Sequence, residues 1–204
     1  MDKTTYNLKV RFITGPLGTQ PQREVAEEFL VARAIEGGAA IVTPNGVQLP
    51  EDEVATIDQN VERGTTAFHK FQGKPVYFDY QIKGFLKDAG LAFNGLSNVK
   101  NLRSKIDNYV FIEPRMIFLN FEGSIQYCDR PLRAMTAQGP RVSLARSEEL
   151  PPDTWFECQI KTYDNGPITE NILRQLLSYG EDKGMGQWRN GGRGRFTFEL
   201  TKVA

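Results

Sequence analysis

The sequence predicts an α+β fold. Segments alternating apolar and polar residues with period two are interleaved with segments whose apolar residues recur at helical spacing, and the last third runs strand, helix, glycine loop, strand. With 204 residues, 40% apolar and 11% aromatic, the chain can bury a sizeable core. The length favours a single domain, 1–204, carrying insertions at about 20–72 and 124–150.

Tyr6 to Ile13 sets Tyr6, Leu8, Val10 and Phe12 against Asn7, Lys9 and Arg11, the alternation of a half-buried strand. Gly15-Pro16-Leu17-Gly18-Thr19-Gln20-Pro21 then breaks the regularity. Two amphipathic helices are expected in the first insertion. One carries Val25, Ala26, Phe29 and Leu30, and the other runs from Asp52 to Arg63 with Val54, Ile57 and Val61 on one face. The turn-rich Thr43-Pro44-Asn45-Gly46 separates them.

Pro75 to Tyr80 reads as a short extended segment, followed by a core helix whose stripe is Ile82, Phe85, Leu86 and Ala89, flanked by Lys83, Lys87 and Asp88. Strands return at Tyr109–Ile112 and Arg115–Phe121. From Ser124 to Leu150 no period is sustained, and Arg130, Arg133, Arg141 and Arg146 make the span basic. Two readings stay open there: a functional, thumb-like projection more mobile than the core, or an ordinary hairpin. Trp155 to Tyr163 alternates Phe156, Cys158, Ile160 and Thr162 against Glu157, Gln159 and Lys161. Thr169 can cap a helix bearing Ile172, Leu173, Leu176 and Leu177, and Phe196, Phe198 and Leu200 mark the last strand.

Lys+Arg and Asp+Glu both number 25, which removes the whole-molecule positive field that helps many nucleic-acid binders find their partner. An anion site must therefore be a local patch. Cys128 and Cys158 form no CxxC pair and His69 is the single histidine, so neither a zinc site nor a disulfide framework is expected, and no cofactor either. Met1-Asp2-Lys3-Thr4-Thr5 has no apolar signal core, and no apolar run is long enough to cross a bilayer; a cytoplasmic location without membrane contact is expected.

Chemistry concentrates in Gly184-Met185-Gly186-Gln187-Trp188-Arg189-Asn190-Gly191-Gly192-Arg193-Gly194-Arg195-Phe196, two Gly-x-Gly units separated by five residues. Glycine permits positive φ and close backbone approach, and successive N–H groups in such a turn can cradle an anion. Arg189, Arg193 and Arg195 add charge, and Trp188 is available to stack on a base. The plainer alternative is a tight helix-to-strand connection with solvated arginines and Trp188 filling the core.

Placed after an amphipathic helix and before the last strand, this loop resembles the glycine loop of the RAMP superfamily, the repeat-associated RNA-binding proteins of CRISPR systems. Phe78-Asp79-Tyr80-Gln81-Ile82-Lys83-Gly84-Phe85-Leu86-Lys87 is similar to the strand-to-helix segment of that superfamily's backbone subunits. Arg141 to Phe156 resembles the approach to their second half, with Asp153 where a Pro-Gly-Thr-type turn has glycine. Gln20–Gln72 has no counterpart in the resemblance. The chain is also similar to stand-alone proteins of bacteriophages and prophages.

The resemblance implies a ferredoxin-like (RRM-like) RAMP core with inserted helices and a long thumb-like excursion. It implies RNA or another phosphate-bearing ligand bound by Lys83, Lys87, Arg130, Arg133, Gly184, Gly186, Trp188, Arg189, Gly192, Arg193 and Gly194. It further implies a homo-oligomer or filament along RNA, or, through the phage proteins, engagement of a host defence complex. On that second path the chain would be a surveillance-complex mimic, a cyclic-nucleotide sponge or a structural phage component. Some relatives cleave RNA with a histidine or a loop aspartate, which directs attention to His69 and Asp129. His69 stands between aromatics in Phe68-His69-Lys70-Phe71 and Asp129 sits beside Arg130, both more typical of structural roles. No catalytic residue is assigned and a non-enzymatic protein is expected, with a nuclease role for either residue left open.

Overall fold

The computed structural model describes residues 2–21, 66–94, 99–136 and 139–203. In chain order the elements are β1 (Lys3–Phe12), β2 (Gln20–Pro21), β3 (Thr66–Ala67), β4 (His69–Phe71), β5 (Lys74–Phe78), α1 (Asp79–Ala92), α2 (Leu102–Tyr109), β6 (Val110–Glu113), β7 (Met116–Phe118), β8 (Gln126–Thr136), β9 (Gly139–Glu149), β10 (Trp155–Tyr163), α3 (Glu170–Lys183) and β11 (Phe196–Lys202), with a 3-10 turn at Arg189–Gly191. They fall into two compact units, one made of Met1–Gly18, Phe68–Gln126 and Glu149–Ala204, the other of Thr19–Ala67 and Tyr127–Glu148.

The first unit is built on a four-stranded antiparallel sheet in the order β11-β1-β10-β6. Its alternation is the one expected from the sequence. Tyr6, Leu8, Val10 and Phe12 of β1 and Phe156, Cys158 and Ile160 of β10 are buried on one face. That face is covered by Ile82, Phe85, Leu86 and Ala89 of α1 and Leu173, Leu176 and Leu177 of α3, all members of the same core cluster. Each fully buried side chain of this size contributes roughly 1.5–3 kcal/mol relative to exposure. Thr169 caps α3 by accepting the Ile172 N–H at 3.5 Å. Gly180 lets α3 close in, because a Cβ there would lie 2.2 Å from the Phe196 ring and 2.7 Å from that of Phe85.

Two boundaries differ from expectation. Tyr109 ends α2 instead of starting a strand, and the following strand, β7, is only Met116–Phe118. Helix α2 offers only Leu102 and Ile106 as buried residues, too short a stripe to register as helical period. A second, three-stranded antiparallel sheet, β4-β5-β7, also belongs to this unit.

In the second unit the sheet order is β2-β3-β9-β8. Within residues 124–150, β8 and β9 are neighbouring strands, so the span is extended structure rather than irregular loop. Its alternation is hidden because Val142 and Leu144 face outward at 65% and 58% exposure while Arg130, Ser147 and Glu148 are buried. The helices expected around Val25–Leu30 and Asp52–Arg63, and the Thr43–Gly46 turn, lie outside the described residues. Among the described residues no helix is long and apolar enough to cross a membrane, and no group of three or more His, Cys, Asp or Glu is placed to hold a metal ion.

Candidate nucleic-acid interface

Helix α3 stops at Gly184, whose φ of 81° is open to glycine and whose Cβ, if present, would lie 2.3 Å from the Arg193 carbonyl oxygen. The chain then turns out and back. Met185, buried, donates its N–H to the Gly194 carbonyl, Gly191 donates to Trp188, and Gly192 to Arg189. Gly186, Gly192 and Gly194 all have positive φ, and space is open beside Gly192. The N–H groups of Gly184, Met185, Gly191, Gly192 and Arg195 bond within the fold and are not available to an anion.

Thr14, just past β1, clamps the loop. Its Oγ1 donates to the Gly192 carbonyl at 2.8 Å and accepts the Arg195 N–H at 2.9 Å, while the N–H groups of Ile13 and Thr14 reach the Arg195 carbonyl. Nothing in the sequence singles out this threonine, because its role depends on a partner at the other end of the chain.

The arginines are held by carboxylates. Arg189 meets Asp88 of α1 at 2.5 Å, Arg193 pairs with Glu149, and Arg195 pairs with Asp182 at 3.6 Å. Lys83 and Lys87 converge on Asp107 of α2 at 3.8 and 3.0 Å. The Lys87 hydrogen bond, opposed by desolvation and helped by the charges of Lys87, Lys83 and Arg103, holds the Asp107 carboxyl below its usual range. Lys83 and Lys87 thus lie on α1 and Arg189 pairs with its Asp88, while Arg193 pairs with Glu149 at the end of β9.

Trp188 adopts φ 52° and is 40% exposed. It is not a core residue. Its ring folds over its own turn, where a Cβ on Gly191 would come within 2.7 Å of it.

Arg130 and Arg133 belong to the second unit. Arg130 is 6% exposed and donates to Ser147 Oγ at 2.9 Å, and Arg133 lies in β8. Asp129 pairs with Arg146 at 3.4 Å, and Arg146 covers the Tyr127 ring at 4.5 Å. His69 sits edge-on to Phe78 with its Nε2 3.3 Å from the Tyr80 hydroxyl, and burial lowers its pKa.

No family model and no curated protein matches the chain. Among solved structures it is similar to a chain in the cryo-EM structure of the Type III-B Cmr-beta bound to cognate target RNA, at 12% identity and TM-score 0.48 over 99% of this chain and 62% of that one. A chain of a Type IV-B CRISPR complex is similar at 10% identity and TM-score 0.46, over 97% of this chain and 90% of that one. The chain thus spans less than two thirds of the length of the first.

Proposed function

We propose that this chain is a non-enzymatic RNA-binding protein of RAMP type, with β1, α1, β6, β10, α3 and β11 as a ferredoxin-like core to which residues about 20–72 and 124–150 are insertions. The strand order β11-β1-β10-β6, with α1 and α3 as the two crossovers, supports that topology. The observation that carries the function is the position of the glycine loop: leaving α3 and tied to the end of β1 by Thr14, it sets Arg189 against Asp88, next in sequence to Lys87 on α1, with the half-exposed Trp188 just before it. Base stacking and phosphate contact are the two interactions that single-stranded RNA offers such a surface.

Balanced total charge is compatible with this reading, since a subunit in a filament along RNA covers only a few nucleotides. The carboxylates that hold Lys87, Arg189 and Arg193 give way to phosphates on binding. The test is binding of a short fluorescein-labelled oligouridylate at low salt. Replacing Arg189 and Arg193 together by alanine should weaken binding and flatten its salt dependence, by about 0.7 in log–log slope for each lost phosphate contact. No binding by the wild-type chain at low salt overturns the reading.

A further inference from the structure

We propose a second ligand site, distinct from the glycine loop: a platform on the outer face of the β4-β5-β7 sheet, built from Phe78, Tyr80 and Arg115, on which a base of single-stranded RNA stacks. The choice of RNA rests on the function proposed above; the stacking geometry does not.

Strand register assembles the face. His69 pairs with Val76 and Val76 with Phe118, Phe71 pairs with Lys74, and Phe78 with Met116. Because side chains alternate, these residues share one side of the sheet, where Val76 is buried but Phe71 and Phe118 are not, while Pro75, Tyr77 and Ile117 turn to the other and are buried. The outer side leaves Phe71 and Phe118 exposed, and Tyr80, in the first turn of α1, is 49% exposed next to Phe78 and His69. Aromatic rings clustered on an exposed face mark an interaction site more often than isolated ones do.

The geometry favours a flat ligand. The rings of Phe78 and Tyr80 stack with centroids 5.5 Å apart and planes only 11° from parallel. The guanidinium of Arg115 lies 5.7 and 5.6 Å from the two centroids. Arg115 is fixed by Asp79 at 2.8 Å, and the Tyr80 hydroxyl is held by His69. The rings are thus oriented before any ligand arrives, which lowers the entropic cost of stacking. Every nucleobase has a π-face to offer such a surface.

Charge selects the occupant. Arg115 borders the Phe78 and Tyr80 rings and Lys74 lies beside Phe71 at the other end of β5; since Asp79 pairs with Arg115, the positive charge added to the face is that of Lys74. A locally positive aromatic face on a chain of zero net charge complements a phosphate-linked base better than a second copy of itself.

The experiment is ultraviolet crosslinking of the full chain to the oligouridylate, followed by tryptic mapping, with equilibrium binding and sedimentation run in parallel. A crosslink in the peptide from Phe71 to Lys83 is expected. Tyr80→Ala should weaken binding roughly 5- to 150-fold at an unchanged melting temperature, and Tyr80→Phe, which keeps the ring and loses only its hydrogen bond to His69, should retain most of the affinity. If crosslinks map only to the glycine loop and Tyr80→Ala binds normally, the platform is overturned while the RNA reading stands. If the wild-type chain binds no oligonucleotide, both fail. If Tyr80→Ala instead abolishes a concentration-dependent self-association, the face is a contact between copies and the platform is overturned.

Discussion

Gly194 faces Met185 so closely that a Cβ on it would stand 1.9 Å from the Met185 carbonyl oxygen. Gly194 also has φ 70°, so alanine there meets both a backbone clash and left-handed strain. Gly194→Ala should cost about 3 kcal/mol or more, read as a shift in the urea midpoint. Gly192→Ala, at φ 77° but beside open space, should cost only about 1–2 kcal/mol. Equal losses for the two would mean that the limbs of the loop are not pressed together.

Tyr77 is buried between Phe12, Phe68 and Phe156, and its hydroxyl has no hydrogen-bond partner among the described residues. Burial raises its pKa, so the phenol stays neutral across the working range. Tyr77→Phe removes an unsatisfied polar atom and keeps the ring. Stability should rise by about 1 kcal/mol; a loss of that size would show that the hydroxyl bonds in solution.

His69 carries a pH dependence with a definite sign. Burial lowers its folded pKa below the ordinary 6.5, so between the two values the unfolded chain binds more protons than the folded one. Its contribution to stability is complete above about pH 6.5 and declines as the pH falls from there through the folded value. Melting temperature should therefore drop on acidification in that window, and the drop should shrink in His69→Gln. An unchanged profile in that variant would remove His69 as the source.

Cys158 lies on the covered face of β10, and burial pushes its thiol pKa up to about 12. Thiolate, not thiol, is the nucleophile. Iodoacetamide at neutral pH should leave Cys158 unmodified in the folded chain and label it after urea unfolding, as mass spectrometry of the peptide would record. Rapid labelling without urea would contradict the burial.

The sequence made the central strands plain, because β1 and β10 each bury one face and expose the other, so alternation survives along their whole length. It made α1 and α3 plain for the same reason at helical period. Strands β8 and β9 were illegible since Val142 and Leu144 point outward and Ser147 inward, inverting the usual polarity. The glycine loop could be located but not its clamp: Thr14 acts through Gly192 and Arg195, residues that no local window includes. The grouping of Phe78, Tyr80, His69 and Arg115 was equally hidden, since strand register rather than spacing brings Arg115 to the aromatic pair.

The position of β1 inside its sheet, with Leu8 opposite Cys158 on one side and Leu200 on the other, sets when its sheet can be completed during synthesis. The strand made first is the one whose two neighbours are made last, so its hydrogen-bonding edges stay bare while most of the chain is synthesised. Such distant pairing raises contact order and slows the search for the native state. β11 is the last of the four strands to be synthesised, and Phe196 meets Phe12 and Phe85 only once it docks. A nascent chain halted before it would present an open, amphipathic strand edge to any chaperone or sister molecule nearby.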